Sequence, residues 1–315
     1  MDIMTALIDR RSSGVFIICA TPFSQDGAID FPSLDRLLEF YVEKGVNGIT
    51  VMGIMGEADK LTPDERRTVF DHIMTRLAGR LQVVVGVSDP GLANLAAFAH
   101  YAMDKGAAGV MVAPSRGPAR DDRVTGYFRQ VCAALGDGVP VVYQDFPQTT
   151  GVPVSPRTIL EITRDLPQVV MLKHEDSPGL AKITAVRAAE KAGFPRMAIL
   201  CGNGGLYLPQ ELMRGADGAM TGFAYPEALV GTVRLHREGR DDAAEDLYDC
   251  YLPILRMEQQ LGAGLAIRKH ILMRRGAIAC AALRAPGAKL SAEDVAEIDR
   301  LIARTDAKAR ALNAS

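Results

Sequence analysis

Cysteine is scarce in this sequence of 315 residues, and its copies are scattered along the chain. The five are Cys19, Cys132, Cys201, Cys250 and Cys280. They lack the paired spacing of zinc ligands, and at least three lie in apolar stretches typical of a strand or helix. The pattern therefore argues against a disulfide framework and against a zinc site.

A strong net charge and a long apolar run are also missing. The chain has 36 basic and 38 acidic residues and a formal net charge of −2, with no extended run of one sign. Such a balance gives no electrostatic footprint for nucleic acid or for an anionic membrane. No apolar run approaches a membrane span, and residues 1–13 have no apolar core of signal-peptide length. We therefore expect a cytoplasmic protein whose partners are small molecules or copies of itself, with no nucleic-acid and no membrane partner.

What the sequence has instead is a regular alternation of short β-rich runs and amphipathic segments. The predicted strands cover residues 15–20, 48–52, 82–87, 109–113, 139–144, 169–173, 197–201 and 218–221. The intervening segments have helical periodicity, and glycines such as Gly45 and Gly106 stand where these helices should end. Eight alternations predict an α/β protein with a closed (β/α)8 TIM barrel, because right-handed crossovers between parallel neighbours close at this number.

After the eighth predicted strand the β-rich runs stop. The predicted helices cover residues 229–238, 241–260, 263–275 and 292–303. Ser291 and the acids that follow it resemble a capping box at the start of the last helix. No low-complexity linker separates this tail from the barrel. We therefore predict a barrel that carries the active site at residues 1–225 and a helical region packed on it at residues 226–315.

Lys173 is the first residue that points to a specific chemistry. It ends the apolar run 169–172, and the carboxyl ends of barrel strands are where active sites form. An apolar wall disfavours the charged form of an amine, so that more of it is the neutral nucleophile that attacks a carbonyl to form a Schiff base. The alternative is a strand-end lysine that extends to solvent or neutralises one of the acids after it.

Four further motifs are informative because of the order in which they occur along the chain. They are Thr-Pro-Phe at residues 21–23, Gly-Ile-Met-Gly-Glu at 53–57, Gly-Asn-Gly-Gly at 202–205 and Gly-Ala-Met at 218–220. With Lys173 they resemble the dihydrodipicolinate synthase and N-acetylneuraminate lyase family of class I aldolases. The resemblance implies a (β/α)8 barrel, commonly a homotetramer. It also implies a strand-six lysine that forms a Schiff base with pyruvate or another 2-keto acid, with no cofactor and no metal.

In that family the glycine loop after the second strand gives backbone amides to the carboxylate of the keto acid. Glycines let the main chain approach an anion closely, and N–H groups donate to it. The resemblance therefore makes Ile54, Met55 and Gly56 substrate-binding residues, and it places Gly202 and Met220 beside the substrate. Hydroxyl residues are usual at Ile54 and Met55, so that side-chain donors are lost here while the amides of Met55 and Gly56 remain. A tight turn from strand to helix is the alternative reason for the glycines.

The strand-five tyrosine that relays protons in the family is missing, because Gln144 stands at its position. Tyr143 is one residue away and, with period-two alternation, should face the opposite side of the strand. Glu175 alternates onto the same side as Lys173 and could supply an acid or base, whereas His174 should point outward. A solvated loop acid is the alternative for Glu175. We predict Lys173, Gln144 and Glu175 as the catalytic residues.

Arg116 stands in the loop after the fourth strand, where tyrosines are usual in the family. A guanidinium matches the two oxygens of a carboxylate with a planar fork. Arg116 is therefore predicted to meet an anionic group of the substrate or of a neighbouring subunit's site. The alternative is a solvent-facing arginine that pairs with Asp121 or Asp122.

The leading interpretation is a lyase in which Lys173 forms a Schiff base with a 2-keto acid, and the adjacent carbon then loses a proton, an aldehyde or water. This covers dihydrodipicolinate synthase-like aldol chemistry. The missing tyrosine keeps a 2-keto-3-deoxy sugar-acid aldolase or dehydratase open as an alternative. A regulatory barrel that binds keto acids without turnover is a further alternative. A metal-dependent barrel aldolase is disfavoured, because the five histidines fall mostly on predicted helices.

Overall fold

Eight parallel strands form the centre of the structure, a computed structural model that describes residues 6–114 and 121–314. Each strand pairs with the next along the chain, and the last pairs with the first, so that the sheet closes. The strands are β1 (Gly14–Ile18), β2 (Gly48–Val51), β3 (Gln82–Gly86), β4 (Gly109–Val112), β5 (Val141–Asp145), β6 (Val169–His174), β7 (Ala198–Cys201) and β8 (Gly218–Thr221). The predicted (β/α)8 barrel is confirmed.

Helices surround the barrel and return the chain from one strand to the next. They are α1 (Phe31–Glu43), α2 (Pro63–Leu77), α3 (Leu92–Asp104), α4 (Asp121–Leu135), the short α5 (Pro147–Thr150), α6 (Pro156–Asp165), α7 (Leu180–Lys191), α8 (Leu208–Met213) and α9 (Pro226–Arg237). Polar caps begin several of them. Asp30 accepts from the Ser33 N–H at α1, and Thr62 and Glu65 close a capping box at α2. These caps satisfy N–H groups that have no partner within the helix.

Side chains alternate along each strand between two apolar cores. Residues such as Phe16 and Val142 fill the barrel interior, whereas their neighbours face the helices. On β5 this alternation separates Tyr143 from Gln144. Tyr143 is fully buried in the outer core, and its ring centroid lies 4.5 Å from that of Phe128. The prediction that Tyr143 faces away from the site is therefore confirmed.

The chain after α9 forms α10 (Asp241–Asp249), α11 (Leu252–Glu258), α12 (Gly264–Arg274) and α13 (Ala292–Ala314). The single helix predicted for residues 241–260 is wrong, because α10 ends at Asp249 and α11 begins at Leu252. Pro253 explains the break: its ring and missing N–H are tolerated in the first turn of a helix but would interrupt a helix continuing from α10. Both α11 and α12 pack against α13.

The last helix begins with the predicted capping box. The Asp294 N–H donates to Ser291 Oγ, and the Ser291 N–H donates to Asp294 Oδ2. The division at residues 225 and 226 stays a prediction, and α9 shows how closely the two parts are joined, because it packs against β1. None of the helices within the described residues combines the length and apolar character needed to cross a bilayer.

Candidate active site

Lys173 lies on β6 with its side chain in the mouth of the barrel. Strand register sets it beside Gln144 of β5, and only 5% of the residue is exposed. Its Nζ lies 3.1 Å from Oε2 of Glu175. All three residues line one cavity at the carboxyl ends of the strands. The structure thus brings together the three residues that the sequence predicts as catalytic.

Glu175 is held by the strands on either side of it. Its N–H donates to the Asp145 carbonyl at 2.9 Å, which continues the ladder between β5 and β6. Gln144 Nε2 donates to Glu175 Oε2 at 2.7 Å. The residue is only 7% exposed, so the alternative of a solvated loop acid is wrong. A carboxylate held between an ammonium and an amide donor in a poorly solvated site has a fixed orientation.

Gly202, directly after β7, leaves room for this carboxylate. A Cβ on Gly202 would lie 2.0 Å from Glu175 Cγ, closer than real atoms approach. The Gly202 N–H donates to the His174 carbonyl at 2.7 Å, which ties this backbone to β6. Its φ of −101° is open to any residue. The glycine is therefore required by the neighbouring side chain and not by its own conformation.

The loop after β2 forms a single turn of 3₁₀ helix at Ile54–Gly56. The Gly56 N–H donates to the Gly53 carbonyl at 3.0 Å, so this amide is used within the turn. Thr21 Oγ1 donates to the Gly56 carbonyl at 2.7 Å and ties the turn to the end of β1. Ile54 is 55% exposed, and Met55 packs against the barrel-interior core. The Met55 amide lies outside the hydrogen bonds of the turn, which makes it the better candidate for the carboxylate contact.

Met220 is one predicted substrate-binding residue that does not line this cavity. Met220 on β8 is fully buried in the barrel-interior core. Arg116 lies outside the described residues. Their predicted contacts with the substrate, like those of the glycine loop, stay predictions.

A group of buried charges lies behind β6, on the side away from the cavity. His174 points there, as alternation predicts, and its Nδ1 lies 3.8 Å from Asp145 Oδ2. Lys182 Nζ lies 2.7 Å from a carboxylate oxygen of Asp145 and 2.7 Å from one of Asp176. These contacts join β5, the loop after β6 and α7. They support the strand on which Lys173 stands, because the ion pairs of Lys182 tie α7 to β5 and to the loop after β6.

Glu211 on α8 borders the same buried region. Burial raises the pKa of Glu211 to about 6, and the weaker effects of His174 and Cys201 act in the opposite direction. Its Oε2 has no hydrogen-bond partner among the described residues. Burial also raises the pKa of the Cys201 thiol well above its usual value. Cys201 is therefore not an activated nucleophile, since the thiolate is the reactive form.

The sequence prediction missed the residues that the C-terminal helices add to the cavity. Gln259, directly after α11, and Arg268 of α12 line it together with Asn203. Asn203 Nδ2 donates to the Glu175 carbonyl at 2.7 Å. The sequence signals that Arg268 is buried, because apolar residues such as Ile267 and Ile271 stand on both sides of it, but it does not show what surrounds the side chain. Arginine is almost never fully buried unless it is paired or has a ligand.

The arrangement supplies an amine, a carboxylate and an amide at one end of a cavity. An amine beside a carboxylate can act as a nucleophile with its own acid–base group. Within residues 6–114 and 121–314, no group of three or more His, Cys, Asp or Glu side chains could hold a metal ion.

Comparison with known proteins identifies the family to which the chain belongs. The model of the Dihydrodipicolinate synthetase family matches residues 11–305. A crystal structure of dihydrodipicolinate synthase from Rhodopseudomonas palustris is 47% identical and superposes with a TM-score of 0.93, over 95% of this chain and 99% of that one. L-2-keto-3-deoxyarabonate dehydratase of Azospirillum brasilense is 28% identical, over 96% of this chain and 97% of its own. A probable 2-dehydro-3-deoxy-D-pentonate aldolase of Escherichia coli is 27% identical, over 73% of this chain and 76% of its own. Synthase, dehydratase and aldolase are all lyases, and the chain is a lyase that belongs to the Dihydrodipicolinate synthetase family.

Proposed function

We propose that this lyase forms a Schiff base between Lys173 and a 2-keto acid, and that it removes water from a 2-keto-3-deoxy sugar acid. The observation that carries the proposal is the Glu175 carboxylate, 3.1 Å from the lysine amine. It supplies an acid–base group at a site where the relay tyrosine typical of the family is replaced by Gln144. A carboxylate in this position can move protons, which the amide cannot.

The reaction begins when the Lys173 amine attacks the C2 carbonyl, and loss of water from the adduct gives a protonated imine. The imine withdraws electrons from C3, and the Glu175 carboxylate accepts the C3 proton as an enamine forms. The enamine then expels the C4 hydroxyl, which takes the proton from Glu175 and leaves as water. Hydrolysis of the remaining imine releases an unsaturated 2-keto acid and regenerates the lysine.

Elimination suits this site because one carboxylate serves both proton transfers. The group that takes the proton from C3 is already positioned to give it to the oxygen on C4. The side-chain amide of Gln144 is already hydrogen-bonded, since its Nε2 donates to Glu175 at 2.7 Å. Tyr143 faces the outer core, where burial raises its pKa well above the usual value. Similarity to a dehydratase over 96% of the chain supports the same reaction.

The C1 carboxylate of the substrate is proposed to bind at the 3₁₀ turn Ile54–Gly56. Gly53, Ile54 and Met55 of this loop line the cavity. The Met55 N–H is a donor that the turn itself does not use. A backbone donor at a glycine-bordered turn holds an anion without a cationic side chain.

Aldol cleavage is the second candidate, and similarity to a probable pentonate aldolase favours it. It uses the same imine, but Glu175 would take a proton from the C4 hydroxyl instead of from C3. The C3–C4 bond would then break, and its electrons would form the enamine. The two reactions differ in their products, so one incubation separates them.

Two measurements test the proposal. Borohydride reduction in the presence of pyruvate should attach the keto acid to Lys173, as read by mass spectrometry of peptides. Incubation with 2-keto-3-deoxypentonate should give a product that is lighter by one water. Pyruvate and glycolaldehyde would instead show aldol cleavage. Trapping without turnover of any keto acid would show that the barrel only binds them.

We also propose that the protein is a homotetramer, by resemblance to the assembly that is common in the family. Light scattering at micromolar concentration tests this, and a monomer alone would remove it. The cytoplasmic location stays a prediction.

A further inference from the structure

Arg268 is a buried cation that borders the cavity and has an unused donor. It lies on α12 and is 4% exposed. Its Nε donates to Glu258 Oε2 at 2.7 Å, and Glu258 Oε1 accepts from the Ala224 N–H at 3.1 Å. Arg268 Nη1 is buried and has no hydrogen-bond partner among the residues that the structure describes. A buried donor without a partner is costly, so it points to a ligand atom that completes the site.

Two glycines keep the floor of this region clear for side chains from the C-terminal helices. A Cβ on Gly222, directly after β8, would lie 2.2 Å from Arg268 Nη1. A Cβ on Gly204 would lie 2.2 Å from Gln259 Nε2. Each glycine lines the cavity together with the side chain that covers it. The barrel and the C-terminal region therefore form this part of the cavity jointly.

The polar groups around Arg268 include acceptors as well as donors. Asn203 Nδ2 donates to the Glu175 carbonyl at 2.7 Å, which leaves its Oδ1 to accept from a ligand. Gln259 carries one more acceptor and two donors. A hydroxyl both donates and accepts, whereas a carboxylate only accepts and would be repelled by the Asn203 oxygen. The mixture therefore fits hydroxyl groups.

The charges around the cavity also favour hydroxyl groups over a second carboxylate. Glu258 already balances Arg268, at 2.7 Å, and Glu175 lies 3.1 Å from Lys173. Lys173 and Arg268 are the only cations among the described residues that line this cavity, and both are already paired, so a second carboxylate on the substrate would find no free cation there. Neutral hydroxyls carry no such cost. Arg268 then acts as a fixed donor, oriented by Glu258, and not as an anion receptor.

We propose that Arg268, Gln259 and Asn203 form a distal subsite that binds the hydroxyl groups at the far end of a 2-keto-3-deoxy sugar acid with a single carboxylate. The assignment of the near end to Lys173 rests on the proposed function. The distal subsite determines which substrate is accepted, because its buried donor, Arg268 Nη1, is paired only when the substrate has a hydroxylated tail.

The test uses ligands that cannot form an imine, so that it does not depend on the chemistry at Lys173. Calorimetry on the full chain measures the affinity of 3-deoxypentonate, which has a C2 alcohol, and of lactate, which lacks the tail. The main variant is Arg268→Met combined with Glu258→Gln, so that no buried charge is left unpaired. Gly222→Ala is the second variant, since it displaces the same guanidinium without removing a charge. Arg274→Met is the control, because that arginine is 52% exposed and pairs with Asp299 on the surface.

The ratio of the two affinities is the readout. Wild type and Arg274→Met should bind 3-deoxypentonate more tightly than lactate, and both cavity variants should lose about ten- to a hundredfold of that preference. An unchanged preference in a folded cavity variant would overturn the subsite. Tighter binding by wild type of the dicarboxylate 3-deoxyhexarate than of 3-deoxypentonate would overturn the choice of hydroxyls. Borohydride trapping with pyruvate is measured in parallel, and its failure in wild type, with the preference intact, would refute the proposed function alone.

Discussion

Glu175→Gln is the substitution that separates the proposed acid–base role from every structural one. The amide has the size of the carboxylate and can still accept from Gln144 Nε2, a bond of 2.7 Å in the wild type. What it loses is the ability to take and return a proton. It also loses the charge that lies 3.1 Å from Lys173 Nζ.

The expected effect follows from this position. A positioned acid–base group contributes roughly a hundred- to ten-thousandfold to rate, and Glu175 is proposed to act twice in one turnover, so kcat should fall by about that range. Breaking a buried ion pair on one side costs roughly 3–5 kcal/mol of stability. A smaller cost is expected here, because the pair borders the open cavity and the bond to Gln144 remains.

The assay compares borohydride trapping with pyruvate and steady-state turnover of 2-keto-3-deoxypentonate. Glu175→Gln should still trap pyruvate on Lys173, while kcat falls. Glu161→Gln is the matched control, since it makes the same chemical change on α6, in a side chain that pairs with the exposed Arg157. Its kcat should stay within about twofold of wild type, as for a surface pair. Turnover by Glu175→Gln at the level of this control would refute the assignment.

Three further predictions concern Lys173, Gly202 and Glu211, with Gly126→Ala as a control. Lys173→Ala should abolish trapping and turnover in a barrel that stays folded by circular dichroism, and trapping at the wild-type level would reveal another nucleophile. Gly202→Ala should lower kcat by about tenfold or more, because its Cβ would lie 2.0 Å from Glu175 Cγ. Gly126→Ala, with nothing within 4 Å of the added methyl, should not change kcat. Burial raises the pKa of Glu211 to about 6, so the stability gained from its protonation is present below the unfolded pKa and is lost as pH rises through about 6. Glu211→Gln should therefore stabilise the fold by up to about 2 kcal/mol at about pH 8 and have little effect at about pH 4. A difference in Tm that does not vary with pH would contradict this.

The side of the strand on which a residue lies could be predicted from the sequence. Lys173 and Glu175 are two residues apart at the end of an extended segment, so period-two alternation places them together and turns His174 away. The same rule separates Gln144 from Tyr143. These placements follow from local backbone geometry, and the structure shows each of them.

The reason for Gly202 could not be predicted in that way. In the sequence this glycine resembles a turn residue, but its φ of −101° can be adopted by any residue. The constraint is the Glu175 side chain, which comes from a different strand and lies over the Gly202 backbone. Such a contact depends on how two neighbouring strands pack, which no local pattern encodes.

The C-terminal region is only partly predictable for a similar reason. Periodicity alone predicts one helix over residues 241–260, which Pro253 breaks between α10 and α11. Periodicity shows that a helix has a buried face but does not show what the face is buried against. The part that Arg268 plays in the cavity therefore became visible only in the folded chain.

One helix, α12, connects the two ends of the proposed substrate site. Arg268 borders the cavity, and the next residue, Lys269, is fully buried with its Nζ 2.6 Å from Glu57 Oε1. Glu57 directly follows the 3₁₀ turn after β2, and its φ of 53° is one that a non-glycine residue keeps only when its surroundings hold it. Lys60 Nζ contacts the other oxygen of Glu57 at 2.8 Å.

Successive residues on a helix point about 100° apart, so one turn of α12 reaches both the distal subsite and the turn proposed for the C1 carboxylate. The pairs Arg268–Glu258 and Lys269–Glu57 are both buried, and removing one partner of such a pair is strongly destabilising. We therefore expect the C-terminal region to fix the distance between the two ends of the site. The length of substrate that the enzyme accepts should therefore respond to changes in α12 more than to changes in the barrel strands.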